Sequence, residues 1–219
     1  MSDTGVWSWG ALFALGAFHG INPGMGWLFA VALGMQEQRR GAVWRAMLPL
    51  GAGHALAVAA ALLVALAAET MVPDGYVRWP VALLLMALGI SRLVRHRHPR
   101  WASMRVDMRR LTMWSFLMAT AHGAGLMVLP VFLHMTATTH AAGEATGHRL
   151  HAGIAGATGP VAGLFATLVH AAGYLSVTAL AAWIVYEKLG LGLLRRAWIN
   201  VDLIWAAALI ATGVFTLLM

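Results

Sequence analysis

The chain has no cysteine. Disulfides and thiolate metal sites are thereby excluded. Charge is also scarce. Only 11% of the residues are Asp, Glu, Lys or Arg, less than half the roughly 25% of an average soluble domain. Acidic residues number eight in all. Glu69, Asp74, Asp107, Glu144 and Glu187 fall at the ends of apolar runs or between them, and Asp202 stands at the start of the last. With no carboxylate deep in an apolar run, a hard-cation site built from carboxylates is not expected. Residues 1–5 lack a basic stretch, and no A-x-A-like cleavage site follows. The first apolar run is therefore expected to be a retained span and not a signal peptide.

What is abundant is apolar sequence, 60% of the chain. A membrane span needs about 20 such residues. Six runs meet or approach that length, at 6–34, 43–68, 79–94, 111–135, 158–186 and 198–219. The third is the shortest, and Arg92 and Arg95 at its end are long enough to snorkel and extend it. The reading is an all-α, six-helix membrane protein folded as one polytopic domain over 1–219.

The basic residues alternate between linkers. Arg39 and Arg40 lie between the first two runs, and Arg45 at the start of the second. Arg92, Arg95, Arg97, Arg100, Arg105, Arg109 and Arg110 lie between the third and fourth. Lys188, Arg195 and Arg196 lie between the fifth and sixth, so that only Arg78 and Arg149 remain for the other side. The positive-inside rule then sets these three linkers in the cytoplasm and both termini outside, as in a multi-pass protein of a bacterial-type inner membrane. The net charge of +7 accordingly reads as topology and attraction to anionic lipid, with the bilayer as partner and no nucleic acid. In the basic linker 95–110, Trp101, Met104, Met108 and then Leu111 recur at helical spacing. They predict an amphipathic helix on the cytoplasmic surface, beside His96 and His98 as surface residues.

The two halves echo each other. Phe18-His19-Gly20-Ile21 in the first run resembles Ala121-His122-Gly123-Ala124 in the fourth, and Gly53-His54-Ala55 in the second resembles Val169-His170-Ala171 in the fifth. Each half, 6–94 and 111–219, holds three spans. An odd number forces consecutive units to enter from opposite sides, which makes the repeat inverted. Secondary transporters of that architecture bind substrate near mid-bilayer on discontinuous helices. The first run has such a discontinuity written into it. Gly20, Asn22, Pro23, Gly24 and Gly26 combine glycine with a proline that lacks an N–H and clashes with the turn before it. Gly123, Gly125 and Pro130 predict a second break in the fourth run.

His19, His54, His122 and His170 are the residues that carry chemistry. Intramembrane ionisable groups face the bundle interior or a cavity and are functional by default. Neutral imidazole binds Ni, Co, Zn or Cu and also titrates near neutral pH. The four histidines are the candidate metal ligands and substrate contacts, with protons as a further partner. Packing by hydrogen bonds across helices is the alternative. Met25 and Met127 offer thioethers to a soft ion, although methionine is also an ordinary packing residue. Asn22 and the backbone at Pro23 offer oxygens. After His134 at the end of the fourth run, His140, His148 and His151 read as a solvated outer loop, with capture or release of a metal outside as the alternative. Gly51-Ala52-Gly53 allows close helix approach within one chain or between copies in a homo-oligomer.

The run His19-Gly20-Ile21-Asn22-Pro23-Gly24 resembles the H-G-x-x-P-G motif of nickel/cobalt efflux proteins in the lysine-exporter superfamily. Gly53-His54, the basic linker and Ala121-His122-Gly123 are similar to that group as well. The resemblance implies a six-span exporter with inverted three-helix repeats and His19 as a metal or substrate contact. Asn22 stands where the motif has an acidic residue, and Met25 where it usually has a second histidine. Similar sequences also carry the label arginine/ornithine antiporter, for which no intramembrane carboxylate is present. The expected activity is proton-coupled efflux of a metal cation or small solute, with amino-acid antiport as the alternative. A membrane metalloenzyme or haem protein using the same histidines belongs to another class. The first lacks a buried general base, and the second lacks paired histidines on each of two helices.

Overall fold

The computed structural model describes residues 3–71, 76–94, 107–146, 159–189 and 201–218. Every regular element among them is helical. Helix α1, Asp3–Ile21, stops where the glycines and proline require it to. Asn22 is extended, and its side-chain oxygen accepts the Gly24 N–H at 2.9 Å. Pro23 opens a single 3-10 turn, Pro23–Met25, at a position where its missing N–H costs nothing. Gly26 follows at φ +147°. A side chain there would meet Leu50 at 2.6 Å and the Tyr174 hydroxyl at 2.9 Å, so the chain can turn at this point only as glycine. Helix α2, Trp27–Glu37, resumes beyond it.

Helix α3, Arg40–Glu69, keeps Pro49 inside it, and α4 covers Arg78–Val94. The second expected break falls at His122–Gly123, between α5, Met108–Ala121, and α6, Ala124–Thr146, with a bend of 60°. Gly123, at φ +72°, makes the turn. Pro130 stays within α6. Helix α7, Gly159–Ile184, continues into a π turn, Val185–Leu189, and α8 covers Val201–Leu218.

Two continuous helices, α3 and α7 with most of its π turn, are long and apolar enough to cross a membrane, and the bent α5–α6 pair makes a third candidate. Large apolar side chains such as Leu48, Leu63, Leu168 and Phe215 stand exposed on the outer surface. Exposure on this scale suits hydrocarbon better than water.

Helix α1 packs on α7, α3 on α5 and α7, and α4 on α8. Glycine permits these approaches. Gly16 faces the His170 carbonyl, and Gly173 faces the Phe13 carbonyl. Gly51 lies against Leu175 and Gly53 against the α5 backbone, so this small-residue cluster serves packing within the chain. One apolar core gathers Leu12, Leu62, Leu85, Phe132, Tyr174 and Trp205. A second gathers Trp27, Val43, Leu50, Leu111 and Val185. Met108 and Leu111, read from sequence as part of a surface helix, instead belong to α5 and pack on that second core. Arg40 pairs with Glu187 at 3.0 Å, and Arg45 pairs with Glu37. The rest of the expected amphipathic helix, with Trp101 and Met104, lies outside the described residues. So do His96, His98, His148 and His151, and the side chains of His140 and Asp202.

Candidate functional site

The two breaks and the two unbroken long helices converge on imidazole. His19 ends α1, and its Nδ1–H donates to the Leu15 carbonyl at 2.7 Å. His122 caps α5 with the same bond, Nδ1–H to the Met118 carbonyl at 2.9 Å. His54 on α3 and His170 on α7 meet edge to edge, their ring planes 8° from parallel and their centroids 5.3 Å apart, with their Nε2 atoms 3.2 Å apart. The His19 ring completes a triangle, 5.6 Å from His54 and 5.1 Å from His170 between centroids. These three side chains are fully buried.

The acceptors assign the tautomers. A carbonyl can only accept, so the ring nitrogen facing it carries the proton. His170 Nδ1–H donates to the Leu12 carbonyl at 3.2 Å, which leaves its Nε2 bare. His54 must then donate its own Nε2–H to that nitrogen, and its Nδ1 is bare. His19, protonated at Nδ1, is bare at Nε2. Both His19 Nε2 and His54 Nδ1 are buried without a hydrogen-bond partner. Buried polar atoms are otherwise paired almost without exception, because an unpaired one costs about 1–3 kcal/mol. Two open imidazole lone pairs within one cluster are the basis for regarding it as a site.

His122 stands one step away. Trp205 of α8 lies between, its ring 4.8 Å from His19 and 5.4 Å from His122. Its indole N–H donates to the His122 carbonyl at 2.9 Å. Tyr174, one turn after His170, stacks on His54 at 4.0 Å and donates its hydroxyl to the Met25 carbonyl at 2.6 Å. The imidazole triangle is thus tied to both breaks. Several backbone oxygens at the breaks find side-chain donors. Trp27 serves Ile21, Trp114 serves Gly24, and Arg92 reaches the Ala121 carbonyl at 2.9 Å. Partners of this kind spare irregular backbone the cost of unpaired polar groups.

The other expected site residues take humbler places. Asn22 caps the 3-10 turn, and Pro23 begins it. Met25 and Met127 are buried in the first apolar core. Among the described residues no three His, Asp or Glu side chains form a ready-made metal cage. The cluster is a triangle of imidazoles in edge contact whose open nitrogens would have to turn toward an ion.

No protein-family model matches the chain, and no curated protein or solved structure matches it either.

Sequence reading missed Tyr174, Trp205, Ser115 and Thr178. Tyr174 left a usable signal, a phenol one helical turn beyond His170 in an otherwise apolar helix. Trp205 left none, since its partner is 83 residues away. Trp205→Phe keeps the aromatic face and removes the N–H. It is expected to cost about 1–3 kcal/mol by stranding the buried His122 carbonyl. Thermal unfolding in detergent measures this, and an unchanged midpoint would mean that the carbonyl has another donor.

Proposed function

We propose that the protein is a six-span secondary transporter that moves a metal cation or small solute outward through the imidazole cluster, in exchange for protons. The two open lone pairs, His19 Nε2 and His54 Nδ1, at the meeting point of two broken helices carry this reading. The helix pairing supports inverted repeats. A rotation that exchanges the first three-helix unit with the second carries the α1–α7 contact onto α5–α3 and returns α4–α8 to itself. The same rotation exchanges His54 with His170 and His19 with His122, whose bonds to the carbonyl four residues back match. The axis then passes between the Nε2 atoms of His54 and His170. Both termini face outward on this reading, in a bacterial-type inner membrane.

A proton or a borderline metal ion arriving at the cluster meets neutral nitrogen bases and no fixed anion. His54 and His170 share one N–H between two equal bases, so a second proton or an ion must displace that bond. Such a bistable contact on the axis between repeats suits a gate for alternating access.

The test is the metal content of the purified protein after exposure to Ni, Co, Zn and Cu, beside His19→Ala and His122→Ala. Stoichiometric metal in the wild type, lost from both variants, is the expected result. Flux into vesicles under an imposed pH gradient should fall in step, by at least about tenfold. A wild type that neither retains nor moves any of these ions overturns the metal reading, and arginine and ornithine become the solutes to assay.

A further inference from the structure

A second set of polar atoms lies beside the imidazole cluster and is not used by it. Every described serine and threonine hydroxyl that is buried donates to a backbone carbonyl, with one exception. Thr167 bonds Gly163, Thr216 bonds Thr212, and Ser115 bonds Leu50 at 2.6 Å. Thr178 is fully buried, and its Oγ1 has no hydrogen-bond partner. It forgoes the carbonyl four residues back that its neighbours use. The Tyr174 hydroxyl lies near those of Ser115 and Thr178 without closing a hydrogen bond of good geometry to Thr178, and it holds the Met25 carbonyl at the first break. Three hydroxyl oxygens and a freed carbonyl therefore meet where α1 ends, at the partially negative pole of that helix.

We propose that Thr178, Tyr174, Ser115 and the Met25 carbonyl form a binding site for a monovalent alkali cation, sodium, at the break in the first span. Each hydroxyl keeps a lone pair after donating its proton. Freed carbonyls and hydroxyls at a discontinuous helix can replace the hydration of such an ion. A hard divalent ion is disfavoured because no carboxylate is at hand. Tyr174 stands between this site and His54, so a cation here and a positive charge on the imidazole cluster repel each other. Sodium on one side and a proton or metal ion on the other then bind in competition. This exchange rests on the transport reading, whereas sodium binding does not.

The experiment is thermal unfolding of the purified full chain in sodium, potassium and choline chloride at equal ionic strength. Sodium alone is expected to raise the midpoint. Thr178→Val should weaken the apparent sodium affinity by roughly tenfold or more and raise the midpoint in choline, because it removes an unpaired buried hydroxyl. Thr167→Val, which loses a made bond elsewhere on α7, should keep the sodium response. Equal midpoints in all three salts would overturn the proposal. So would a Thr178→Val protein that keeps the sodium response, or one that is merely less stable in every salt. Sodium stabilisation without any solute flux would retain this site and remove the transport reading.

Discussion

Gly16→Ala and Gly173→Ala each leave little folded protein, by our expectation, although alanine is the better helix former. The two glycines lie where α1 and α7 cross. A Cβ on Gly16 would overlap the His170 carbonyl, and one on Gly173 would overlap that of Phe13. In both cases the obstacle is backbone, which cannot rotate aside as a side chain can. Separating the helices would break the Leu12–His170 bond and move His19 off the triangle. Overpacking of this kind costs about 3 kcal/mol, against a gain of about 1 kcal/mol from helix propensity. Gly10, on the same helix with nothing near its Cβ position, supplies the control. Gly10→Ala should hold or raise the unfolding midpoint. If Gly16→Ala and Gly173→Ala behave like Gly10→Ala, α1 and α7 do not meet in this way.

His170→Leu should cost about 1–3 kcal/mol and lower solute flux by at least about tenfold. The substitution strands the buried Nε2–H of His54, which has only the His170 nitrogen to bond. His54→Leu removes a donor instead and leaves an acceptor bare. The double variant removes both members, so its cost should fall short of the summed single costs by about 1–2 kcal/mol. Unfolding midpoints of the four proteins measure this coupling. Flux separates packing from function, because the double variant is expected to regain stability and not transport. Flux restored along with stability would reduce the pair to packing.

Several features were legible in the chain itself. Its scarcity of charge and its apolar runs pointed to apolar helices, and the described residues hold two, with a bent third, long enough to cross a membrane. The break at Pro23 was readable because proline and glycine act on backbone within one turn, whatever surrounds them. The second break was readable only in part. Gly123 made it, and Pro130 did not, because a proline inside an apolar helix can be accommodated when its surroundings fill the gap. The likeness of His19 and His122 was also visible in the chain, since similar local sequence produces similar local hydrogen bonds.

Tertiary structure decided the rest. Sequence marked four histidines, and the folded chain gathers three of them into a triangle and sets Trp205 between these and the fourth. It gave Tyr174 the role of tying the cluster to the first break, and it left Thr178 without a partner. Met25, Met127 and Asn22 were reasonable ligands by type, and packing put them in the core or in a local cap. Local composition determines where a helix runs and where it must stop, because those energies act within a few residues. Which nitrogen is left bare, and which hydroxyl is left unbonded, depends on groups more than a hundred residues apart, and only the packing of α1, α3 and α7 brings those together.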